Sequence, residues 1–219
     1  MTIRFCCAVL MLAAAGCATR PPPALPPPAE PSSVAALAAA IDADAKRSDH
    51  EPDSKTRSEL AAEADRDAQA CVALEPHAAA CLYWRGIALG LEARVHPTRA
   101  GELLNNMLDS LAQAESADPN YDEAGPARVR ALVLIRAPGW PLGPGDAEAG
   151  LVAARRAVAL RPQYPPNLLA LAEALSKTGD GNGARENYAR ARDAALAQPA
   201  AADRDEWLRT ADQGLQHRQ

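Results

Sequence analysis

The chain is poor in the residues that build β-sheets. Aromatic residues make up 4% of its 219 residues, with a single phenylalanine. Valine, isoleucine and threonine are also scarce, although these are the types that strands prefer. Alanine, the strongest helix former, occurs 52 times. The composition therefore excludes an all-β domain and favours an all-α protein.

Two further absences restrict the class of protein. No apolar run approaches the ~20 residues that a membrane-spanning helix needs. The net charge is −5, whereas a nucleic-acid-binding domain presents a basic face. We therefore expect neither a membrane-spanning helix nor binding to nucleic acid.

The histidines and glycines form no catalytic or metal-binding pattern. His50, His77, His96 and His217 are scattered, whereas a zinc site needs converging nitrogen or sulfur ligands. The segment 143–146, Gly-Pro-Gly-Asp, lacks the Lys-Ser/Thr of a phosphate-binding loop. We expect no metal, no cofactor and no enzymatic activity.

The N-terminus has the pattern of a secretory signal. Arg4 precedes an apolar run over residues 5–15, and small residues follow where a signal peptidase would cut. The segment Ala14-Ala15-Gly16-Cys17 resembles the lipobox of bacterial lipoproteins. This resemblance implies removal of residues 1–16, lipidation of Cys17 and, since Ala18 follows, anchoring in the outer membrane facing the periplasm. The alternative is a plain signal peptide that is cut nearby, with Cys17 incidental.

Residues 17–32 form the predicted tether. Seven prolines lie between Pro21 and Pro31, and proline excludes a helix here because it lacks the amide hydrogen. A polyproline-type segment rises roughly 3.1 Å per residue, which gives the tether a reach of about 45 Å. It would hold a domain of residues 33–219 away from the membrane surface.

The residue pattern from position 33 onward predicts nine helices that are organised as a repeat. Similar phrases end in Pro76, Pro119 and Pro162, which are 43 residues apart, and each proline closes one helix and opens the next. Ser33, Asp53, Asp146 and Asp180 are predicted N-caps, and Gly179 is a predicted helix stop. The predicted helices are about 33–48, 54–74, 77–94, 98–117, 122–136, 146–160, 165–178, 181–198 and 202–216.

The last helix pair matches the spacing of a tetratricopeptide repeat. The upstream units are about nine residues longer than the usual 34, with the extra length at about 92–100 and 137–145. We expect a short right-handed α-solenoid of about three degenerate tetratricopeptide-like helix pairs plus flanking helices. The alternative is an unrelated alanine-rich bundle. The matching residues are Leu171, Ala172, Leu175, Gly179, Ala184, Tyr188 and Ala191.

Four segments carry a closer resemblance. They are Ala124-Gly125-Pro126-Ala127-Arg128-Val129, the Pro-Gly-Trp-Pro loop within 137–146, Tyr164-Pro165-Pro166-Asn167, and the pair Tyr83-Trp84. Together they resemble the T-component family of TRAP-type transporters, which are periplasmic lipoproteins built from degenerate tetratricopeptide repeats. The resemblance implies a transport accessory role, with a periplasmic solute-binding protein as partner.

Two functions remain open at this point. A protein-interaction module would present polar residues such as Arg128 and Glu173 on its first-helix faces. A carrier of an apolar small molecule would need a continuous apolar lining through Tyr83, Trp84 and Leu132. A general envelope scaffold, or an oligomer, is also compatible with the pattern.

The loop around Trp140 also has two interpretations. Three prolines and three glycines lie between residues 137 and 146, so the loop should be ordered. Trp140 then either anchors a partner or packs back onto the solenoid.

Cys71 and Cys81 are a candidate disulfide. They are the only thiols left once the signal is removed and Cys17 is acylated, and the periplasm is oxidising. They lie five residues before and after Pro76, the predicted turn between antiparallel helices, so their side chains can face each other. The alternative is that both are small buried residues at helix contacts.

Overall fold

The structure, a computed structural model, describes residues 33–216. The predicted signal, Cys17, the rest of the tether and residues 217–219 lie outside the described residues. The described part contains nine α-helices, a short 3₁₀ turn at Pro97–Arg99 and no strand, so the all-α prediction is confirmed. The helices are α1 (Val34–His50), α2 (Ser54–Leu74), α3 (Ala79–Val95), α4 (Ala100–Ala117), α5 (Tyr121–Arg136), α6 (Ala147–Leu160), α7 (Pro165–Lys177), α8 (Gly181–Leu196) and α9 (Arg204–Gln216).

Local capping sets several helix ends where they were predicted. At four N-termini a side-chain oxygen accepts a hydrogen bond from the backbone amide three residues on, at 2.7–3.2 Å. At the end of α7, Gly179 has φ of 90°, a left-handed conformation that glycine adopts without a steric penalty and that stops the helix. The four N-caps are the predicted Ser33, Asp53, Asp146 and Asp180.

The helices pack in pairs, as in a helical solenoid. Within the described chain, α1 packs on α2, α3 on α4, α5 on α6 and α7 on α8. The first helices of successive pairs also contact each other in order, from α1 through α3, α5 and α7 to α9. The second helices, within the same residues, make no close backbone contact with one another. The row is therefore tighter on the side of the first helices, which form its inner face, and α1–α2 adds a fourth pair to the three predicted.

Alanine at the helix contacts allows this close packing. In the last pair Ala172, Ala184 and Ala191 are buried, as their spacing predicts. Leu171 and Leu175 lie in one apolar cluster with Ala184. The core of the described residues is thus a series of five small clusters along the row, each shared by two to four helices.

The two predicted insertions have different structures. The first is largely helical, because α3 continues to Val95 and the 3₁₀ turn Pro97–Arg99 leads directly into α4. The second is a true loop between α5 and α6, over residues 137–146. Only the second insertion therefore adds a loop to the surface of the helical solenoid.

The structure joins Cys71 and Cys81 in a disulfide, the pairing that their spacing predicts. Their Cα atoms are 5.2 Å apart, within the range that a disulfide needs. Both residues are fully buried and contact Leu37 of α1. The bond therefore ties the end of α2 to the start of α3 at the point where both pack on α1.

Candidate functional site

The inner face of the solenoid contains an open cleft of about 810 Å³. Its walls come from α1, α3 and α5, with the beginnings of α4, α7 and α9. First helices thus supply most of the lining, because they are the helices that form the inner face of the solenoid. Apolar side chains that line the cleft include Ile87, Leu91, Leu104, Met107, Leu132 and Val133.

Two aromatic rings of the cleft lining, Tyr83 and Trp84, form a cluster with Tyr121, which lies behind them outside the lining. The Tyr83 ring meets Trp84 at 5.1 Å and Tyr121 at 5.3 Å between centroids, both edge to face. The Trp84 indole N–H donates to the Tyr121 hydroxyl at 2.9 Å, and the Tyr83 hydroxyl donates to Asp122 Oδ2 at 2.9 Å. The two tyrosine hydroxyls and the indole N–H of this aromatic cluster all have hydrogen-bond partners within the chain. The cluster therefore offers a ligand the apolar surfaces of its rings.

The start of α5 contains a strained turn that sequence analysis missed. Asp122, Glu123 and Ala124 have φ of 47°, 54° and 65°, in the left-handed region that costs non-glycine residues about 1–2 kcal/mol each. Gly125 follows, and a Cβ there would lie 2.7 Å from Asp122 Oδ2 and 3.0 Å from the Tyr83 ring. The turn therefore depends on glycine at position 125 and on contacts that offset the strain.

Arg128 supplies most of those contacts. One guanidinium nitrogen, Nη1, donates to the backbone oxygens of Asp122 and Glu123 at 3.1 and 3.2 Å. The other, Nη2, donates to Asp122 Oδ2 at 2.6 Å. The side chain is 10% exposed, so these hydrogen bonds form away from bulk water. Arg128 thus holds the left-handed turn and, through it, the aromatic cluster.

Asn167 completes this network from the next helix pair. Its amide oxygen accepts from Arg128 Nη1 at 3.1 Å, and its amide nitrogen donates to the backbone oxygens of Glu123 and Ala157 at 3.0 and 3.2 Å. Asn167 is fully buried. The sequence marked the segment that contains it but assigned this asparagine no role; a polar residue directly after a proline pair was the available signal.

Arg128 and Glu173, predicted as charges offered to a partner, are engaged within the chain. Arg128 lines the cleft but is buried and paired with Asp122. Glu173 accepts two hydrogen bonds from Arg136, at 2.6 and 2.7 Å. The Arg136–Glu173 pair links α5 to α7, whereas the Arg128–Asp122 pair lies within α5 and spans its left-handed turn. Both residues are therefore paired within the chain and hold the shape of the cleft, and their role as contacts to a partner stays a prediction.

The Trp140 loop is ordered and its aromatic ring is exposed. Hydrogen bonds close the loop on itself, from Gly145 N to Pro138 O at 2.9 Å and from Leu142 N to Gly139 O at 3.0 Å. Gly145 has no room for a side chain, because a Cβ would lie 2.1 Å from Ala137 O. Since the loop closes on itself, Trp140 remains 91% exposed and Leu142 76% exposed. Of the two interpretations of Trp140, the structure supports the exposed one.

Burial raises the pKa of all four tyrosines. For Tyr83, Tyr121, Tyr164 and Tyr188 the main cause is the loss of water around the hydroxyl, which disfavours the phenolate. Tyr83 is the most buried of the four. The folded protein therefore keeps these protons when an unfolded chain would lose them.

We expect stability to fall as the pH rises above about 10, the pKa of a phenol in an unfolded chain. Above that pH the unfolded chain binds fewer protons than the folded one, so the free energy of unfolding decreases. Melting temperature measured across this range, with phenolate absorbance recorded in parallel, checks the prediction. Tyr83→Phe should flatten the decline. Four phenols that titrate near pH 10 in a chain with intact helical circular dichroism would contradict it.

No group of three or more His, Cys, Asp or Glu side chains in residues 33–216 is placed to hold a metal ion. In the same range no helix has the length and apolarity to cross a bilayer.

Comparison with known proteins adds no identification. No family model matches the chain, and no curated protein has a significantly similar sequence.

Proposed function

We propose that this chain is an envelope-anchored periplasmic lipoprotein whose tetratricopeptide-like domain binds a segment of a partner protein in the cleft. The observation that carries the proposal is the open cleft of about 810 Å³ formed by the first helices, since helical solenoids use concave faces of this kind to bind extended partners. Open walls suit a chain that enters and leaves at both ends.

The exposed loop extends the same surface. Arg136 and Ala137 line the cleft, and the exposed Trp140 and Leu142 follow within a few residues. A rigid aromatic side chain loses little entropy when it is buried by a partner, which is why tryptophan is common at the centre of interfaces. The partner surface in this proposal therefore comprises the cleft and the Trp140 loop.

The partner that we propose is the solute-binding component of a TRAP-type transporter. The segments around Arg128, Trp140 and Asn167 that resemble the T-component family support this choice. The lipobox-like sequence ending in Cys17 supports placement in the cell envelope, where such a component works. The lipidated protein would then be an accessory to transport, without enzymatic activity of its own.

A small-molecule carrier is the second candidate. Tyr83, Trp84 and Leu132 all line the cleft, as that function requires. The lining also contains the ion pairs Lys46–Asp42 and Arg94–Asp49, which interrupt an apolar surface. This mixture favours a protein segment over an apolar ligand.

Capture from envelope extract, with the full-length chain as bait, tests the proposal. Ala45→Arg should abolish capture because Ala45 lines the cleft on α1, and the new side chain would occupy it. Ala62→Arg is the matched control, the same substitution at an exposed site on α2. Trp140→Ala should weaken capture without changing the melting temperature. A bait that retains no envelope protein but carries a lipid or organic acid by mass spectrometry would establish the carrier instead.

Anchoring is tested separately. The wild-type chain should partition into the detergent phase after phase separation, and Cys17→Ser should remain in the aqueous phase. Stable anchoring takes two or more acyl chains, so removal of the acylated residue should eliminate partition altogether. Equal partition of the two chains would refute lipidation at Cys17.

A further inference from the structure

The charges that line the cleft do not balance. The lining contains the cations Lys46, Arg94, Arg128 and Arg136, and each is paired with a carboxylate of the chain. The acids in the lining are Asp42, Asp49, Asp122, Asp203 and Glu206. At least one of these acids therefore has no partner among the cations of the cleft.

Asp203 and Glu206 are the acids without a counterion. No lysine, arginine or histidine nitrogen of the described residues lies within 4.0 Å of either carboxylate, whereas Asp42, Asp49 and Asp122 each hold one of the cleft cations. Their neighbour Arg204 is paired with Asp205 instead. The α9 end of the cleft therefore presents two exposed acids that form no close ion pair, although Asp203 contributes at longer range to the raised pKa of Lys46.

Aromatic rings lie at the same end of the cleft. Tyr164 and Trp207 meet edge to face at 5.7 Å between centroids, and both line the cleft. The Arg128 guanidinium already lies 5.3 Å from the Tyr164 ring centroid, which is within the range of a cation–π contact. Trp207 is half-buried, so part of its surface remains available beside the two acids.

We propose that this end of the cleft receives a basic side chain, so that the partner segment carries lysine or arginine flanked by apolar residues. The proposal rests on the function proposed above and specifies the chemistry of the partner. Asp203 and Glu206 attract the cation, Trp207 contacts its aliphatic stem or its charged group, and the apolar walls of α3 and α5 take the flanking residues. Charge complementarity of this kind selects among partners and raises the association rate.

Binding of matched peptides tests this inference. Three fluorescent octapeptides alternate leucine with lysine, with glutamine or with glutamate, and their affinities for the mature chain in detergent are measured by fluorescence anisotropy. The lysine peptide should bind about tenfold more tightly than the glutamine peptide, since exposed charge pairs contribute little each but two act together. The glutamate peptide should bind most weakly. Salt at about 1 M, where the Debye length is ~3 Å, should remove the preference.

Variants place the effect at α9. The double variant Asp203→Asn, Glu206→Gln should lower affinity for the lysine peptide about five- to tenfold and leave the glutamine peptide unchanged. Asp205→Asn is the matched control, since this acid is on the same turn, is highly exposed and lies outside the cleft lining. All three positions are exposed, and unchanged melting curves would show that the variants fold.

The outcomes separate this inference from the proposed function. Equal binding of all three peptides, or an equal effect of Asp205→Asn and the double variant, overturns the basic-segment inference and leaves the cleft as a peptide site. Spermidine binding that depends on Asp203 and Glu206, without binding of the lysine peptide, overturns it in favour of a small amine. Capture of a transporter protein by wild type but not by Ala45→Arg, together with a double variant that captures normally, sustains the proposed function alone.

Discussion

Arg128→Ala should lower the free energy of unfolding by about 3 kcal/mol and the melting temperature by about 6–12 °C. The guanidinium bonds the backbone oxygens of Asp122 and Glu123, the carboxylate of Asp122 and the amide oxygen of Asn167. Removing it leaves a strained left-handed turn without its main support. The loss lies at the low end for a buried ion pair because the Asp122 side chain is 39% exposed and can be solvated again.

Two controls isolate the role of the hydrogen bonds. Arg155→Ala, at an exposed arginine on α6, should change stability by less than about 0.5 kcal/mol. Arg128→Lys keeps the charge, but an ammonium lacks the planar fork that reaches several acceptors at once, so an intermediate loss is expected. Thermal melting followed by circular dichroism measures all three variants. An Arg128→Ala melting temperature equal to that of wild type would show that the turn holds without the guanidinium.

Removal of the disulfide should cost about 2–3 kcal/mol and lower the melting temperature by about 5–10 °C. Cys71 and Cys81 are separated by 10 positions, so the bond closes a short loop in the unfolded chain and restricts its entropy. Both residues are fully buried. Alanine is therefore the appropriate replacement, because serine would bury a hydroxyl at each position.

The bond can be distinguished from burial of two free thiols. Cys71→Ala and the double variant Cys71→Ala, Cys81→Ala should lose similar stability, because either one breaks the same bond. The unreduced, denatured mature chain should show no reactive thiol at these positions. Two reactive thiols per chain would end the disulfide assignment, and near-normal stability of the double variant would show that packing alone holds α2 and α3 together.

Helix limits were predictable because their causes are local. A side-chain oxygen at Ser33, Asp53, Asp146 or Asp180 satisfies an amide three residues away, and Gly179 stops α7 through its own backbone conformation. The prolines that follow α2, α4 and α6 at a constant interval indicated paired helices. The capping and stop signals depend on residues within one or two turns of each other, and the proline interval is a repeat that can be read directly along the chain.

The start of α5 was not predictable in the same way. Nothing in the sequence 121–124 favours three left-handed residues, and Ala124 disfavours one. The turn exists because Arg128 and Asn167 supply hydrogen bonds to its backbone oxygens, and Asn167 comes from a different helix pair. A hydrogen bond between residues 44 positions apart cannot be predicted from the spacing of residue types along a short stretch of chain.

The exposure of Trp140 and the pairing of the cleft charges were likewise not predictable from local sequence. Proline and glycine content predicted an ordered loop, but either direction of the indole was compatible with it. Arg128 and Glu173 lie on first helices, as predicted. The partner of Glu173, Arg136, became evident only when the inner faces of α5 and α7 met, and the Arg128–Asp122 pair depends on the left-handed turn at the start of α5.

The sequence by itself determined the all-α class, the helix limits and the position of the disulfide, since propensity, capping and spacing about a turn act over short stretches of chain. Only the tertiary structure decided which polar groups are satisfied internally and which remain available. Arg128, on an inner helix face, pairs with the turn that it supports, while Asp203 and Glu206 form no ion pair within 4.0 Å with a cation of the described residues. The pairs Arg94–Asp49 and Arg136–Glu173 cross from one helix to another, so they depend on the distance between helices, which is set by the packing of the whole solenoid and not by neighbours along the chain.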